Sequence, residues 1–389
     1  MEARRYFIED VQLGTLSIAE VCRRHGISRK TGYKWIARYH DNGDVGLKDH
    51  SRKPIHSPIR TSSKVEEKVL KIRELHPCWG GRKIRQILYN EGLCSELLPA
   101  ASTISNILRR HGKLGQGTRE GSSTFIRFER GSPNSLWQMD FKGHFAMDES
   151  KRCYPLTVLD DHSRYNLVLE ACRGEARKDV QPVLTRAFQR YGLPKEILCD
   201  HGNPWGTGFD SQGKKCGTPG FEVWLTRLGI KLIHGRVRHP QTQGKEERFH
   251  RTLKAEVIMR ESLWRDLTHC QKEFNSWREI YNHKRPHEAL GMKTPGDRYQ
   301  LSPRNYPSIL PEEESFYLSD DVLRRVQSKG EINFKNGTFF VGQGYKGELI
   351  ALRPIEELRW DVYHCWKRLG EIDLNKQIKR KKYYTSLLP

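Results

Sequence analysis

No stretch of this 389-residue sequence approaches the roughly 18 consecutive apolar residues that a membrane-spanning helix requires. The first residues, Met1-Glu2-Ala3-Arg4-Arg5, are followed soon by further acidic side chains instead of the apolar run of a secretory signal. A membrane protein is excluded on these grounds, and the cytoplasm is the expected compartment. Cysteine is scarce and unpatterned: there are nine, an odd number, and no two stand at the C-x-x-C spacing of zinc modules. Neither a disulfide framework nor a zinc finger is expected. Acidic residues are short as well, with 47 Asp and Glu against 68 Lys and Arg, a formal charge of +21.

Aromatic residues, at 10% of the chain, are not lacking, which argues for packed cores over disorder. The length predicts two to four domains at about 100–200 residues each. The cationic excess predicts a polyanionic partner, because Lys and Arg neutralise phosphates and release counterions. It amounts to +11 over residues 1–130, +7 over 131–300 and +3 over 301–389. That spread fits a partner contacting the whole molecule better than one held by a single tail.

Ser17-Ile18-Ala19-Glu20 is a capping box opening a short helix with Ile18, Val21 and Cys22 on one face. The helix stops at His25-Gly26, and Ser28 caps a second one running to Tyr39. There Trp35, Ile36 and Tyr39 take core spacing, leaving Arg29, Lys30, Thr31, Tyr33 and Lys34 outward. Helix, glycine turn, then a helix beginning with cationic and hydrogen-bonding side chains is the helix-turn-helix pattern, whose second helix enters a major groove. Residues 1–50 are read as such a DNA-binding domain. Residues 51–62, with Arg52, Lys53 and two prolines, read as an extended basic linker able to follow a DNA backbone. Helices over 65–75, 82–90 and 102–110 predict a second helix-turn-helix DNA-binding domain over 63–114, and the Gly- and Ser-rich segment 115–134 a further linker.

From Ser135 the pattern turns strand-like. Strands over 136–143, 153–159, 165–172, 196–199 and 230–233, with helices over 176–191, over 221–228 and from Gln243, predict a mixed α/β sheet with packed helices over 135–300. Asp140 falls inside a strand and Asp200 at the end of one. Alone, either is more often a turn or cap residue. A third converging carboxylate would change that, because Mg2+ prefers oxygen ligands and two such ions can bind the attacking and leaving oxygens of a phosphodiester. In Gln243-Gly244-Lys245-Glu246-Glu247-Arg248-Phe249, Glu246 shares a helix face with Phe249 and Leu253, the core stripe. Glu247 shares one with Arg251 and Lys254, the stripe that would meet phosphate. Glu247 is the expected third ligand, and Arg248, Arg251 and Lys254 are candidate DNA contacts. Asp160 and Asp161 fit a hairpin turn better than a metal site, and His162, His239 and His250 fit structural roles better than general bases. Trp205 suits base stacking or a core equally.

Trp137-Gln138-Met139-Asp140, then Cys199-Asp200-His201-Gly202-Asn203, then His239-Pro240-Gln241-Thr242-Gln243-Gly244-Lys245-Glu246-Glu247-Arg248-Phe249 resemble, in order, the three signatures of the DDE transposase and retroviral-integrase catalytic core. Tyr281-Asn282-His283-Lys284-Arg285-Pro286-His287-Glu288-Ala289-Leu290 and Thr294-Pro295 resemble the closing segment of bacterial insertion-sequence transposases. The resemblance covers residues 10–300 or so and implies an RNase H-like core. It implies Asp140, Asp200 and Glu247 as the catalytic triad, holding two Mg2+ per site with Mn2+ able to substitute. The implied partners are double-stranded DNA, both transposon ends and target, and further copies of the same chain, at least a dimer on DNA, because two ends must be joined. An accessory ATPase is compatible with the resemblance, and nothing in the sequence indicates one. The implied activity is binding of terminal inverted repeats, DNA cleavage and strand transfer at the nucleoid of a bacterial cytoplasm. Some positions depart from the family pattern. Between Asp200 and Glu247 lie 46 residues, the excess over retroviral integrases lying in a loop insertion at 206–220. His201 replaces a common Asn, Glu246 replaces a common apolar residue, and the retroviral zinc module is absent. The alternatives are a DNA-binding regulator with an inactive nuclease core and an RNase H-like nuclease acting on RNA–DNA hybrids.

Beyond a linker at 301–320, six short alternating runs over 321–375, with Asn336-Gly337 marking a hairpin, predict a small all-β SH3-like barrel. Residues 376–389 form a basic tail containing Lys379-Arg380-Lys381-Lys382.

Overall fold

The computed structural model describes residues 2–49, 61–114, 129–148, 151–200, 220–235, 244–375 and 385–386, in two units, Met1–Ser62 and Ser63–Pro389. Arg52, Lys53, His201, Trp205, residues 206–219, His239 and the tail lysines lie outside the described residues.

The first unit is three helices, α1 (Glu2–Gln12), α2 (Ile18–Arg24) and α3 (Arg29–Gly46). The two serines cap as the sequence predicts: Ser17 accepts from the Glu20 N–H and Ser28 from the Thr31 N–H. Helix α1 has no counterpart among the sequence expectations, yet its Phe7 and Ile8 pack with Val21, Cys22, Trp35 and Leu47 in the core. Helix α3 outruns the expected end at Tyr39 and kinks at Gly43, where φ is 57°. Gly32 is required by close approach, since a Cβ there would lie 2.4 Å from Cys22 Sγ and 3.1 Å from Phe7. Gly32→Ala should therefore destabilise this unit by about 1–3 kcal/mol. A lowered melting transition for this unit, with that of the second unit unchanged, is the expected calorimetric result.

The second unit opens with α4 (Ser63–Leu75), α5 (Gly81–Asn90) and α6 (Ala101–Arg110), packed around Val69, Ile72, Trp79, Ile84, Leu88, Ile104, Ile107 and Leu108. These helices sit directly on the α/β region of the same unit. Ile280 packs against the same cluster, Cys78 Sγ donates to the Ala255 carbonyl at 3.4 Å, and Arg82 pairs with Glu288 at 2.9 Å.

A mixed sheet forms the centre of this unit. Its strands are β1 (Leu136–Phe141), β2 (Phe145–Ala146), β3 (Arg152–Asp160), β4 (Asn166–Cys172), β5 (Glu196–Cys199) and β6 (Lys231–His234). The main order is β4-β3-β1-β5-β6, with β2 paired to β3; β3 runs antiparallel to both β4 and β1, and β1, β5 and β6 are parallel. Side chains alternate across a strand. Trp137, Met139, Leu156, Val158, Ile197 and Cys199 face α7 (Arg177–Tyr191) and α8 (Gly220–Arg227). The other face, with Cys153, Leu159 and Leu169, receives α9 (Gly244–Leu253), a π-helical turn (Lys254–Ile258) and α10 (Leu267–His283) through Phe249, Leu253, Val257, Phe274 and Trp277. That alternation assigns Asp140, Thr157 and, one residue past β5, Asp200 to the α9 side.

The C-terminal region is all-β. Strands β7 (Val322–Arg325), β10 (Leu349–Glu356), β11 (Arg359–His364) and β12 (Lys367–Asp373) form one sheet in the order β12-β11-β10-β7. Strands β8 (Glu331–Phe334), β9 (Gly337–Phe340) and β13 (Thr385–Ser386) form another. The β8–β9 hairpin turns at Lys335 and Asn336, with φ of 41° and 63°, one residue earlier than the predicted Asn336-Gly337 turn. A two-residue loop of this kind needs positive φ at both positions, and Gly337 is left free to begin the strand. The region docks on α8, where Val223 joins its core, Trp366 Nε1 donates to the Thr226 carbonyl at 2.9 Å and Lys367 pairs with Glu222. Among the described residues no helix is long and apolar enough to cross a membrane.

Candidate active site

Strands β1 and β5 run parallel with Gln138 opposite Leu198. Two residues further along each, on the same face and at the same end of the sheet, stand Asp140 and Asp200. Asp140 sits low enough that burial, the largest cause, pushes its carboxyl up to about 7. The charge of Asp200 is the next cause, and Glu175 and Glu247 add smaller repulsions against a backbone N–H that opposes them. Negative charge is thus concentrated at this end of the sheet.

Helix α9 crosses this face and separates the two adjacent glutamates. Glu246 is fully buried, whereas Glu247 is exposed in the first turn together with Arg248, Arg251 and, in the π-helical turn, Lys254. Lys142 belongs to the same neighbourhood: burial and Lys254 lower its pKa, and Asp140 raises it. Sequence reasoning did not single it out, although its spacing of two from Asp140 on an extended segment was a usable signal.

Beneath Asp140 lies a polar knot. Thr157 is the cross-strand partner of Asp140, and its Oγ1 lies 2.9 Å from the Asp140 carbonyl oxygen, 3.0 Å from Glu246 Oε2 and 2.8 Å from His250 Nε2. A carbonyl can only accept, so the single hydroxyl proton of Thr157 goes to it. The other two contacts are then satisfied when the Glu246 carboxyl is protonated and His250 carries its proton on Nε2. Burial favours both neutral forms: it pushes Glu246 well above the usual carboxylate range, with the charge of Asp140 adding to it. It also lowers His250 to about 3, with Lys142 adding to it. His250 Nδ1 faces Asp140 Oδ2 at 3.8 Å.

The start of α9 is fastened from the other side. Asp161, buried in the turn after β3, accepts from Gln138 Nε2 and the Arg130 N–H at 2.7 Å each and pairs with Lys245. Its neighbour Asp160 accepts from the Asn134 N–H, the Ser163 N–H and the Ser163 hydroxyl at 2.6–2.8 Å. Both carboxylates are committed to building the turn. His162 is likewise structural, with Nδ1 2.8 Å from the Arg130 carbonyl.

The donor set of Asp140, Asp200 and Glu247 is carboxylate oxygen throughout, which suits a hard cation such as Mg2+, and their repulsion is what a cation would relieve. Among the described residues, no three His, Cys, Asp or Glu side chains are already grouped closely enough to hold an ion. Asp140 and Asp200 share a sheet face, and the charge of Glu247, on the exposed side of α9, acts on Asp140. The pKa of Asp140 has a measurable consequence. Between the unfolded value of about 3.8 and the folded value of about 7, the folded chain holds a proton that the unfolded chain has lost. In chelator, stability should fall as pH rises through that window, by up to about 4 kcal/mol. Asp140→Asn should flatten the dependence and melt higher than the parent at pH 8; calorimetry across pH 4–8 checks this.

On α3, Arg29, Lys30, Tyr33 and Lys34 are exposed, and Thr31 is half-buried with its hydroxyl 2.9 Å from that of Ser28. A separate open groove of about 460 Å³ is lined by Arg82, Arg85 and Gln86 of α5, by the start of α6 and by Met292.

Residues 130–240 and 228–295 match models of the integrase core domain. Residues 5–55 match a helix-turn-helix domain, 31–108 a homeodomain-like domain and 321–380 the IS481 family transposase C-terminal domain. The matched domains, in this order, are similar to those of insertion-sequence transposases with an integrase-like core. Over 223 residues the chain is 24% identical to the insertion element IS407 uncharacterized 31.7 kDa protein of Burkholderia multivorans, covering 56% of this chain and 74% of that one. It is 27% identical over 163 residues to the insertion element IS476 uncharacterized 39.2 kDa protein of Xanthomonas euvesicatoria, covering 42% of this chain and 43% of that one. The chain therefore spans less than half the length of the second relative. Among solved structures, the HTLV-2 integrase catalytic core in complex with magnesium is similar at 18% identity and a TM-score of 0.32, covering 44% of this chain and 99% of that one.

Proposed function

We propose that this chain is an active transposase that binds the terminal inverted repeats of its element, cuts DNA and joins the freed end to a target. The observation that carries the reading is the placement of Asp140 and Asp200 at the same end of adjacent parallel strands, on the face crossed by the helix bearing Glu247. In this reading the three carboxylates hold two Mg2+, with Mn2+ as a substitute. When bound, such ions neutralise charge at a phosphodiester and make an oxygen nucleophile available at neutral pH. The residues then divide the work. Asp140 and Asp200 would hold the ions against the sheet, Glu247 would complete their oxygen ligands from α9, and Lys142, Arg248, Arg251 and Lys254 would hold the flanking phosphate backbone. Water displaces one strand in line, releasing a 3′-hydroxyl, and that hydroxyl displaces a target strand in the same way. No covalent protein intermediate is required; the nearby thiol of Cys199 is buried and pushed well above its ordinary pKa.

End recognition falls to Arg29, Lys30, Thr31, Tyr33 and Lys34 at the start of α3, helped by Arg52 and Lys53 in the linker and by the groove at Arg82 and Arg85. The domains are read as 1–50, 63–114 and 135–300, with a small SH3-like barrel at 321–375. The chain is read as working in the cytoplasm, at least as a dimer on DNA. If Lys30 meets a phosphate, Lys30→Ala should weaken binding to all duplexes similarly and reduce the slope of log K against log salt by about 1. The deciding assay incubates the full chain with a duplex of the element's terminus, Mg2+ and a supercoiled plasmid, then sequences the junctions. Joined 3′ ends that vanish in chelator support the reading. Absence of joining together with cleavage of an RNA–DNA hybrid would replace it with an RNase H-like nuclease.

A further inference from the structure

We propose that Thr157 is a positioning residue of the active site, whose hydroxyl sets the distance between the strand carrying Asp140 and the helix carrying Glu247. The inference rests on the metal-dependent reading above and adds a residue that none of the motifs contains.

Thr157 is fully buried in the middle of β3, directly across from Asp140, on a face otherwise filled by Cys153 and Leu159. A valine would satisfy that environment and the strand alike. A buried hydroxyl is unfavourable there unless it is bonded, and this one is bonded three ways. One contact is to the Asp140 main chain at 2.9 Å; the other two, at 3.0 Å and 2.8 Å, are to Glu246 and His250, one turn apart on α9. Glu246 immediately precedes Glu247. One oxygen atom therefore ties the backbone of the first carboxylate to the two buried polar residues of the helix that presents the third. Lifting α9 away from the sheet by about 0.5 Å, the tolerance of a functional constellation, would stretch both α9 contacts of the hydroxyl toward the limit of a hydrogen bond. Lys245 pins the same helix to the Asp161 turn, so α9 is held at two points, and the Thr157 contact is the one beneath the carboxylates.

The test compares Thr157→Val, which keeps shape and loses the hydroxyl, with Thr157→Ser, which keeps the hydroxyl. Mn2+ alone is titrated into the full chain at fixed pH and followed by electron paramagnetic resonance, with melting temperature and end-duplex affinity recorded alongside. Thr157→Val should weaken Mn2+ binding by about 10–100-fold and lower kcat without changing DNA affinity, and Thr157→Ser should stay within about threefold of the parent. If Thr157→Val does not fold, Thr157→Cys takes its place and must show the same weakening. Unchanged Mn2+ affinity in the hydroxyl-free variant overturns the proposal, and so does equal weakening in Thr157→Ser, which would make the role one of packing. A parent chain that binds no Mn2+ overturns the metal-dependent reading itself, and is thus distinct from failure of this inference alone.

Discussion

Glu247→Gln should reduce strand cleavage and joining by at least about 1000-fold while end-duplex affinity stays within about twofold, and Glu246→Gln should retain activity within about tenfold. The two side chains are adjacent in sequence and chemically identical, so the contrast isolates environment. Glu247 is exposed at the start of α9 and charged toward Asp140. Its amide would keep the volume and lose the anionic oxygen that a metal ligand supplies, and several kcal/mol of lost transition-state stabilisation corresponds to three or more decades in rate. Glu246 is fully buried, bonded to Thr157 and pushed toward its neutral form, so a neutral amide is a near-isostere. Single-turnover joining assays on both variants, with gel-shift controls, make the comparison. Loss of joining in Glu246→Gln with survival in Glu247→Gln would exchange their roles.

The largest effect on stability is expected at Lys245. Its partner Asp161 has no exposure, and Lys245 itself is lowered to about 8, first by burial and then by Arg164, with Asp161 pulling the other way. Lys245→Ala strands a buried carboxylate, a change that costs about 3–5 kcal/mol when one partner of a buried pair is removed. Pairing Lys245→Met with Asp161→Asn should recover part of that loss, because neither residue then leaves a charge unpaired. Chemical denaturation of the two single variants and the double variant measures the coupling. Additive losses would show that the pair does not hold α9.

Much of this could be read along the chain because it is local. The caps at Ser17 and Ser28, the strand ends at Asp140 and Asp200, and the helical phase separating Glu246 from Glu247 each depend on residues within a few positions of one another. Helix α1 escaped because it buries only Phe7 and Ile8, with Val11 partly covered beside them, and its place depends on Gly32, which has no side chain to register in a pattern. Thr157 looks like an ordinary strand residue until β3 is aligned with β1, and its other partners lie 89 and 93 residues away. The Lys245–Asp161 pair spans 84 residues and is equally invisible to spacing rules. The early turn at Lys335 shows the reverse: the Asn-Gly signal found the hairpin, and strand pairing chose the register.

The most direct measurement of the central claim is anomalous scattering from Mn2+ in crystals of the full chain. Two Mn2+ peaks ligated by oxygens of Asp140, Asp200 and Glu247, with Glu246 still turned toward Thr157, are the predicted result. Mn2+ held elsewhere, or bound through Glu246 with Glu247 left in solvent, would contradict it.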